Sequence, residues 1–345
     1  MLAMSRNSAA VRYMAQRQID ATPHMKGKTM KRFGISPLVA AAMLCFALAA
    51  NASAECDRKC LADFMTTYLN ALVAHDASKL PVTRNVKYTE NGVRLNLNDG
   101  LWNTASAMPT YRLDVLDEEA GQVGLLGKIN ENGNNNWFSA RLKIEKGKQV
   151  SEIETLIVRN IMSGAPPEGS PQGKTFTEPH PLMMEVIPEG KRRPRHELIN
   201  IGNSYFTGLD TDEHGRNIPF DPDCQRRENG MIAANNPDAP KGSMQWMGCK
   251  AQFDTGFSVI VTDIRERRFI ADPVTGLSYG FGYFDHDGSV AKMSTTLDGK
   301  LTDVTGTFRQ PFSFIIAEIF KIKDGKIRQI EAVLMAVPYG MESGW

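Results

Sequence analysis

The feature that most constrains the fold of this chain is an internal repeat. A tyrosine and a Glu-Asn-Gly triplet occur twice at nearly the same spacing, with Tyr68 22 residues before Glu90 and Tyr205 23 residues before Glu228. Each time a strand pair with a Lys-Gly or Asp-Gly turn follows and runs into an Ile-Glu step. A repeat of this length predicts one small domain that is present twice.

Residues 30–54 are typical of an export signal. A basic pair precedes an apolar run at 38–50, and Ala-Ser-Ala at 52–54 forms a small-residue cleavage site. We therefore expect a periplasmic or secreted mature protein that begins near Glu55, and we interpret residues 1–29 as a non-native or disordered extension. The apolar run is too short to span a bilayer as a helix, so we expect no membrane anchor after processing.

The charge of the mature chain argues against a nucleic-acid partner. The first 54 residues hold seven of the 40 basic and one of the 39 acidic residues, which leaves 33 against 38 and a net charge of −5. Binding to a phosphate backbone needs a basic footprint. The sequence contains no zinc motif, no phosphate-binding Gly-rich loop and no nucleophile elbow, and we expect neither a metal nor a cofactor.

Four cysteines remain after removal of the signal, and an even number in an exported protein suggests disulfides. The natural pairing lies within each copy, Cys56 with Cys60 and Cys224 with Cys249. The alternative is that the thiols stay free.

The length and the apolar pattern together predict an α+β fold. We place the first copy at 55–162, a Gly/Pro-punctuated linker at 163–194 and the second copy at 195–345. Each copy opens with an amphipathic helix and continues with alternating strands. The second copy is longer, with insertions expected near 235–248 and 289–309. Asn132-Gly133 and Asp287-Gly288 predict hairpin turns, and Lys146-Gly147 and Asp324-Gly325 mark the last turn of each copy.

Three parts of the chain resemble the nuclear transport factor 2-like superfamily, which includes ketosteroid isomerase, scytalone dehydratase and polyketide cyclases. They are the opening helix with Tyr68–Asp76, the short strand Val86–Gly92, and the paired C-terminal strands. The resemblance implies two tandem cone-shaped barrels, each with an N-terminal helix packed on a curved antiparallel sheet. The tandem form, with residues 220–224 and 337–345, is also similar to a group of exported bacterial and fungal proteins.

The resemblance also implies catalytic roles. In ketosteroid isomerase a helix tyrosine binds the developing oxyanion and a strand carboxylate acts as the base, which match Tyr68 and Glu90 in the first copy and Tyr205 and Glu228 in the second. Such chemistry is physically sound, since an apolar surrounding raises the pKa of a carboxyl group. This chain departs from the isomerase in having Glu for Asp and Asn-Gly where Pro is expected.

Each of these residues also has a structural interpretation. The tyrosines lie on an apolar helical face, where a core role is common. Glu90 and Glu228 precede Asn-Gly, and the alternative is that they flank a hairpin turn and point to solvent.

Further candidates come mostly from the second copy. Adjacent strand residues face opposite sides, so one of Asp285 and His286 enters the cone, and we take His286 as a candidate acid or base. Asp254 is a candidate catalytic residue or a surface helix residue. The candidate substrate-binding residues are three aromatic side chains and one cation: Tyr283, Trp102, Phe257 and Arg265.

These observations lead to two expectations from different classes. The first is an exported, cofactor-independent enzyme of the lyase, dehydratase or isomerase type that acts on a small hydrophobic or aromatic molecule by general acid/base catalysis, with the second copy as the active one. The second is a non-catalytic ligand-binding or dimerisation module, since this fold also assembles homo-oligomers through its sheet.

Overall fold

The structure, a computed structural model, describes four stretches of the chain: 56–108, 110–159, 176–211 and 214–345. The predicted export signal, the extension before it and residues 160–175 of the connecting region lie outside the described residues.

The described part of the first copy contains an α-helix and seven strands, besides two short 3-10 helices: α1 (Arg58–Val73), β1 (Val82–Glu90), β2 (Val93–Leu95), β3 (Ala105–Ala107), β4 (Arg112–Asp117), β5 (Gln122–Glu131), β6 (Asn134–Ile144) and β7 (Val150–Val158). A short helix, α2 (Pro181–Met184), lies in the connecting region. The second copy contains α3 (Arg195–Thr211), β8 (Phe220–Glu228), β9 (Met231–Ala234), α4 (Cys249–Asp254), β10 (Asp263–Asp272), β11 (Leu277–His286), β12 (Lys292–Ser294), β13 (Leu301–Asp303), β14 (Phe312–Lys323) and β15 (Lys326–Pro338).

Each copy folds into one main sheet. The strand order is β2-β1-β7-β6-β5-β3 in the first, where β4 also pairs with β5, and β10-β11-β14-β15-β8-β9 in the second. The first strand of each copy, β1 or β8, runs parallel to the last, β7 or β15. The α+β class is therefore confirmed. The sheets are mixed rather than antiparallel, and across the described residues their edge strands do not pair with each other to close a barrel.

One face of each sheet is covered by the opening helix of the same copy, and we call it the helix-side face. On α1, Leu61, Met65, Tyr68 and Leu72 recur at helical spacing and are buried. The helix begins where the Asp57 side chain accepts a hydrogen bond from the Cys60 backbone N–H. The same pattern recurs on α3, whose buried residues include Leu198, Tyr205 and Leu209.

The opposite faces of the two sheets pack against each other, and we call them the interface faces. Their shared core contains Val115 and Leu126 from the first copy and Tyr279, Ile319 and Val333 from the second, all of them buried. The two copies are therefore packed as an internal pseudo-dimer, which the sequence did not predict.

Two reciprocal ion pairs show that this packing is close to two-fold symmetric. Arg58, at the start of α1, pairs with Asp272 at the end of β10 at 2.6 Å. Arg195, at the start of α3, pairs with Asp117 at the end of β4 at 2.8 Å. Both aspartate side chains are buried, so each helix of one copy is tied to the sheet of the other through the same contact.

The loops agree with the sequence in part. Both disulfides, Cys56–Cys60 and Cys224–Cys249, are present as predicted. The turn at Asn132-Gly133 joins β5 to β6, and the turn at Asp324-Gly325 joins β14 to β15. A hairpin at Asp287-Gly288 was a wrong prediction: β11 pairs with β14, and the expected insertion, which contains β12 and β13, lies between them.

Candidate functional site

Between α3 and the helix-side face of the second sheet lies a group of four polar side chains: Tyr205 of α3 with Arg226, Glu228 and Glu318 of the sheet. Tyr205 is buried between the rings of Phe220, Phe253 and Phe320, with centroids 5.2 to 6.1 Å apart. Its hydroxyl accepts a hydrogen bond of 2.8 Å from the guanidinium of Arg226. The Tyr205 hydroxyl therefore lies in an apolar surrounding, with the positive charge of Arg226 directed at its oxygen.

Arg226 and Glu228 lie two residues apart on β8, so both point to the same face of the sheet. The Arg226 Nε atom lies 2.8 Å from Glu228 Oε1. The Arg226 side chain is 8% exposed and that of Glu228 is 28% exposed. Glu228 is thus the member of the group that solvent reaches, and Arg226 connects it to the buried hydroxyl of Tyr205.

Glu318 is the fourth member and lies on β14, where its neighbours from Phe314 to Phe320 are apolar. It is 1% exposed, and its Oε2 atom has no hydrogen-bond partner among the described residues. Burial raises the pKa of Glu318 to about 8, opposed by the positive charge of Arg226 and assisted by the negative charge of Glu228. At neutral pH Glu318 is therefore a neutral acid that can donate a proton.

The first copy uses the matching positions differently. Glu90 is buried and accepts hydrogen bonds from the Tyr88 hydroxyl at 2.9 Å and the Leu101 backbone N–H at 2.6 Å. Arg159 donates to its second oxygen at 2.9 Å. With three donors on one carboxylate, Glu90 is held as a structural anion. It flanks the Asn91-Gly92 hairpin turn, as Glu228 flanks Asn229-Gly230, but its side chain is buried rather than directed to solvent.

Two hydrogen-bond donors near Glu90 have no acceptor among the described residues. The hydroxyl of Tyr68 and the indole Nε1 of Trp102 are buried, and neither has a hydrogen-bond partner within the described stretches. The two rings meet edge to face with centroids 5.6 Å apart. Burial, with the charge of Glu90 as a second cause, raises the pKa of Tyr68 above the ordinary value of tyrosine.

The strand registers show which residues distinguish the copies. Tyr88 lies opposite Ile153 in the first copy, as Arg226 lies opposite Ile330 in the second. In the adjoining strand pair, Ala140 matches Glu318, because these residues lie opposite Thr155 and Ala332. The second copy thus replaces a tyrosine and an alanine with a buried Arg–Glu pair.

The Asn-Gly part of the repeat has a structural role. Asn91 and Asn229 both have positive φ, and their side-chain oxygens accept hydrogen bonds from the backbone N–H groups of Ile157 and Leu334. Each asparagine thereby secures the first strand of its copy to the last. Proline, the residue expected from ketosteroid isomerase, cannot supply this hydrogen bond.

His286 and Asp254 are not brought together with this group. His286 faces the helix side, as the alternation predicts, but it stacks on Phe312, which lies six residues from Glu318 on β14, about 20 Å along the strand. Burial lowers the pKa of His286 to about 4, so the ring is neutral. Asp254 is 44% exposed and pairs with Lys250 on α4, which fits the surface interpretation.

The four candidate substrate-binding residues are also dispersed. Tyr283 belongs to the interface core, with the guanidinium of Arg265 4.9 Å from its ring centre. Arg265 pairs with Asp285 at 2.6 Å rather than standing open to a ligand. Phe257 packs on Phe253 at the edge of the second core, and Trp102 belongs to the first copy.

Sequence reasoning missed Arg226 and Glu318. Arg226 precedes Glu228 by two residues, so strand alternation could have placed it on the same face. Glu318 is the lone charge in the apolar run Phe314-Ile-Ile-Ala-Glu-Ile-Phe320, and such a charge signals a buried ionisable group.

The chain belongs to the family described as "Domain of unknown function (DUF8021)", which matches residues 54–157 and 191–334. The two matched segments agree with the two copies. Among solved structures, the chain is similar to an NTF2-like protein of unknown function from Cytophaga hutchinsonii, at 14% identity over 29% of this chain and 92% of that one, with a TM-score of 0.24. No curated protein matches it. Among the described helices none has the length and apolar character needed to cross a membrane.

Proposed function

We propose that this protein is an exported, cofactor-independent enzyme whose second copy acts on a small apolar or aromatic molecule by general acid/base catalysis. The observation that carries the proposal is the pair of unlike carboxyl groups beside Tyr205. Glu318 is buried and neutral, whereas Glu228 is partly exposed and faces Arg226. Two carboxyl groups in different surroundings are a recurring way to provide an acid and a base at one pH.

Each residue has a defined task in this proposal. Glu228 removes a proton from carbon, and the electron pair left behind moves toward a carbonyl or a leaving hydroxyl. Tyr205, polarised by Arg226, stabilises the oxyanion that forms. In an isomerisation Glu228 returns the proton to a different carbon, so that no group changes its net protonation.

In a dehydration Glu318 acts as well. Its proton passes to the leaving hydroxyl, the C–O bond breaks, and water departs as the new double bond forms. Glu228 then holds one proton and Glu318 has lost one. Transfer of that proton through solvent or through the Tyr205 hydroxyl restores the starting state, and neither an oxidant nor a metal enters the balance.

The fold and the cellular location are part of the proposal. We assign both copies to the nuclear transport factor 2-like superfamily, because each has an opening helix with a buried tyrosine against a sheet whose first strand ends in glutamate. Export through the signal at 30–54 is supported by the two disulfides, which form in oxidising compartments.

The test is mass spectrometry of a mixture of aromatic and terpenoid alcohols incubated with purified mature protein. We expect loss of water or formaldehyde, or an isomer, that is abolished in Glu228→Gln and retained in Glu90→Gln, and a loss of water should also be abolished in Glu318→Gln. The Glu90 variant is the matched control, since it removes the corresponding glutamate of the other copy. Product from both second-copy variants at the wild-type rate would contradict the proposal.

A second candidate function is non-catalytic ligand binding in the first copy. The buried, unpartnered donors of Tyr68 and Trp102, next to a fully bonded Glu90, favour it. A ligand with a carbonyl oxygen would satisfy donors that otherwise lose hydrogen-bond energy. If a compound from the mixture co-purifies with wild type and with Glu228→Gln but not with Trp102→Phe, this function is the better one.

A further inference from the structure

The disulfide Cys224–Cys249 lies in the same core as Tyr205. Cys224 is on β8, two residues before Arg226, so strand alternation places both side chains on the helix-side face. Cys249 is the first residue of α4, and both cysteines are buried. The disulfide therefore attaches α4 to the strand that carries Arg226 and Glu228. The four side chains proposed for catalysis form the acid/base group: Tyr205, Arg226, Glu228 and Glu318.

Phe253 connects this disulfide to the acid/base group. It lies four residues after Cys249 on α4, about one helical turn, and it is buried. Its ring packs on Tyr205 with centroids 5.5 Å apart and on Phe220 with centroids 5.4 Å apart. Of the three phenylalanine rings around Tyr205, α4 supplies Phe253, whereas Phe220 and Phe320 come from the sheet. The position of α4 therefore decides whether one side of Tyr205 is covered.

Helix α4 is too short to hold its own position. It has six residues, a length at which a helix gains little stability from its internal hydrogen bonds. The side-chain amide of Gln252 donates to the carbonyl oxygens of Ala233 on β9 at 2.7 Å and of Met244 in the preceding loop at 2.6 Å. After the helix the chain turns at Gly256, whose φ of +81° is in the left-handed region. The place of α4 against β8 therefore depends on tertiary contacts, and the disulfide is the covalent one.

The disulfide of the first copy has a different place in its domain. Cys56 and Cys60 are four residues apart at the start of α1, so their bond closes a loop within one segment of the chain. It attaches no second element to the first sheet. Removal of this bond leaves the surroundings of Tyr205 intact, and the first-copy disulfide is therefore a matched control for that of the second.

We propose that the Cys224–Cys249 disulfide regulates the acid/base group by holding Phe253 against Tyr205. In the oxidised protein the ring excludes water from one side of Tyr205, and exclusion of water strengthens the electrostatic interactions within a site. In the dithiol form α4 is no longer bonded to β8, water reaches Tyr205, and the burial that keeps Glu318 neutral is reduced. This regulation rests on the proposed function, since it acts on the same site.

The redox step is an ordinary thiol–disulfide exchange. The two cysteine thiols lose two electrons and two protons as the S–S bond forms, and a disulfide oxidant accepts them and is reduced to two thiols. Oxidants of this class act in the compartments that exported proteins enter. The acid/base group is therefore completed after export, and the protein is inactive while its cysteines are reduced.

The test is a ¹³C NMR titration of the Glu318 carboxyl group in the whole mature protein, which requires no substrate. Wild type is compared with Cys224→Ser/Cys249→Ser, which represents the dithiol form, and with Phe253→Ala, which keeps the disulfide. We expect a midpoint near 8 in wild type and a midpoint at least about one pH unit lower in both variants, because water relieves the burial of the carboxyl group. A disulfide with a structural role alone would change the unfolding free energy and leave this midpoint in place.

The matched control is Cys56→Ser/Cys60→Ser, whose Glu318 midpoint should equal that of wild type. An unchanged midpoint in Cys224→Ser/Cys249→Ser and in Phe253→Ala overturns the proposal, and so does an equal fall in the control. If Cys224→Ser/Cys249→Ser does not fold, Phe253→Ala alone decides the outcome. If the midpoints shift as expected but wild type yields no product in the mass-spectrometric test, the proposed function fails and the effect of the disulfide on the group stands.

Discussion

The burial of Glu318 makes a quantitative prediction about stability. The folded protein raises the pKa of this carboxyl group from 4.5 to about 8, whereas the unfolded chain returns it to the ordinary value. Between these two values the native state holds one more proton than the unfolded state. The free energy of unfolding therefore falls as pH rises, by about 1.4 kcal/mol per pH unit from this residue alone.

Replacing Glu318 with Gln removes the titrating group while keeping its size. Relative to Glu318→Gln, we expect wild type to lose about 3.5 kcal/mol of unfolding free energy between pH 5 and pH 8. The assay is urea unfolding followed by circular dichroism at four pH values, with the disulfides kept oxidised. Glu189→Gln, at an exposed position, is the control and should run parallel to wild type.

Parallel pH profiles for wild type and Glu318→Gln would refute the reasoning. Glu318 would then be ionised at neutral pH in both states, and it could not serve as the proton donor.

Three further predictions concern other buried polar contacts. Asp117→Asn leaves Arg195 without its buried partner and should lower the unfolding free energy by about 3 kcal/mol. This value is at the low end for such pairs because the Arg195 side chain is 24% exposed. A loss below about 1 kcal/mol in urea unfolding would contradict the packing of the two copies through this ion pair. Asn229→Ala removes the side-chain hydrogen bonds to the Leu334 backbone and should lower the unfolding free energy by about 2 kcal/mol in the same assay. An unchanged unfolding free energy would contradict the structural role of the Asn-Gly repeat. Folding lowers the pKa of His286 from 6.5 to about 4, so the native state binds this proton less readily than the unfolded state. The unfolding free energy should therefore fall by about 3 kcal/mol as the pH drops from 6.5 to 4. His286→Phe should lack this pH-dependent loss. The same dependence of unfolding free energy on pH in wild type and His286→Phe would contradict the prediction.

The fold was predictable as far as local and repeated patterns reach. Helical spacing around Tyr68 and Tyr205 identified the opening helices, and Asn132-Gly133 identified a hairpin. The pairing of the first strand with the last one is a long-range contact that no local pattern encodes. The packing of the two sheets was also out of reach, since it depends on residues such as Asp117 and Arg195 that look like surface charges in the sequence.

The candidate site was predictable where the repeat marked it and not where the copies differ. Tyr205 and Glu228 stand out because their partners Tyr68 and Glu90 recur. Repetition gives no indication of Glu318, because the matching residue in the first copy is alanine. His286 was a candidate because it is a titratable residue beside Asp285. Strand alternation places these two side chains on opposite faces of the sheet, and His286 lies too far along the strand to contact Tyr205.

The central claim is that the second copy contains a carboxylic acid that is neutral at physiological pH beside Tyr205 and Arg226. Its most direct test is a ¹³C NMR titration of protein labelled at the glutamate side-chain carboxyl, comparing wild type with Glu318→Gln to assign the resonance. The account predicts that the signal missing from the variant titrates with a midpoint near 8. A midpoint near 4.5, the ordinary value, would mean that Glu318 is a carboxylate at pH 7, and the acid/base mechanism would lose its proton donor.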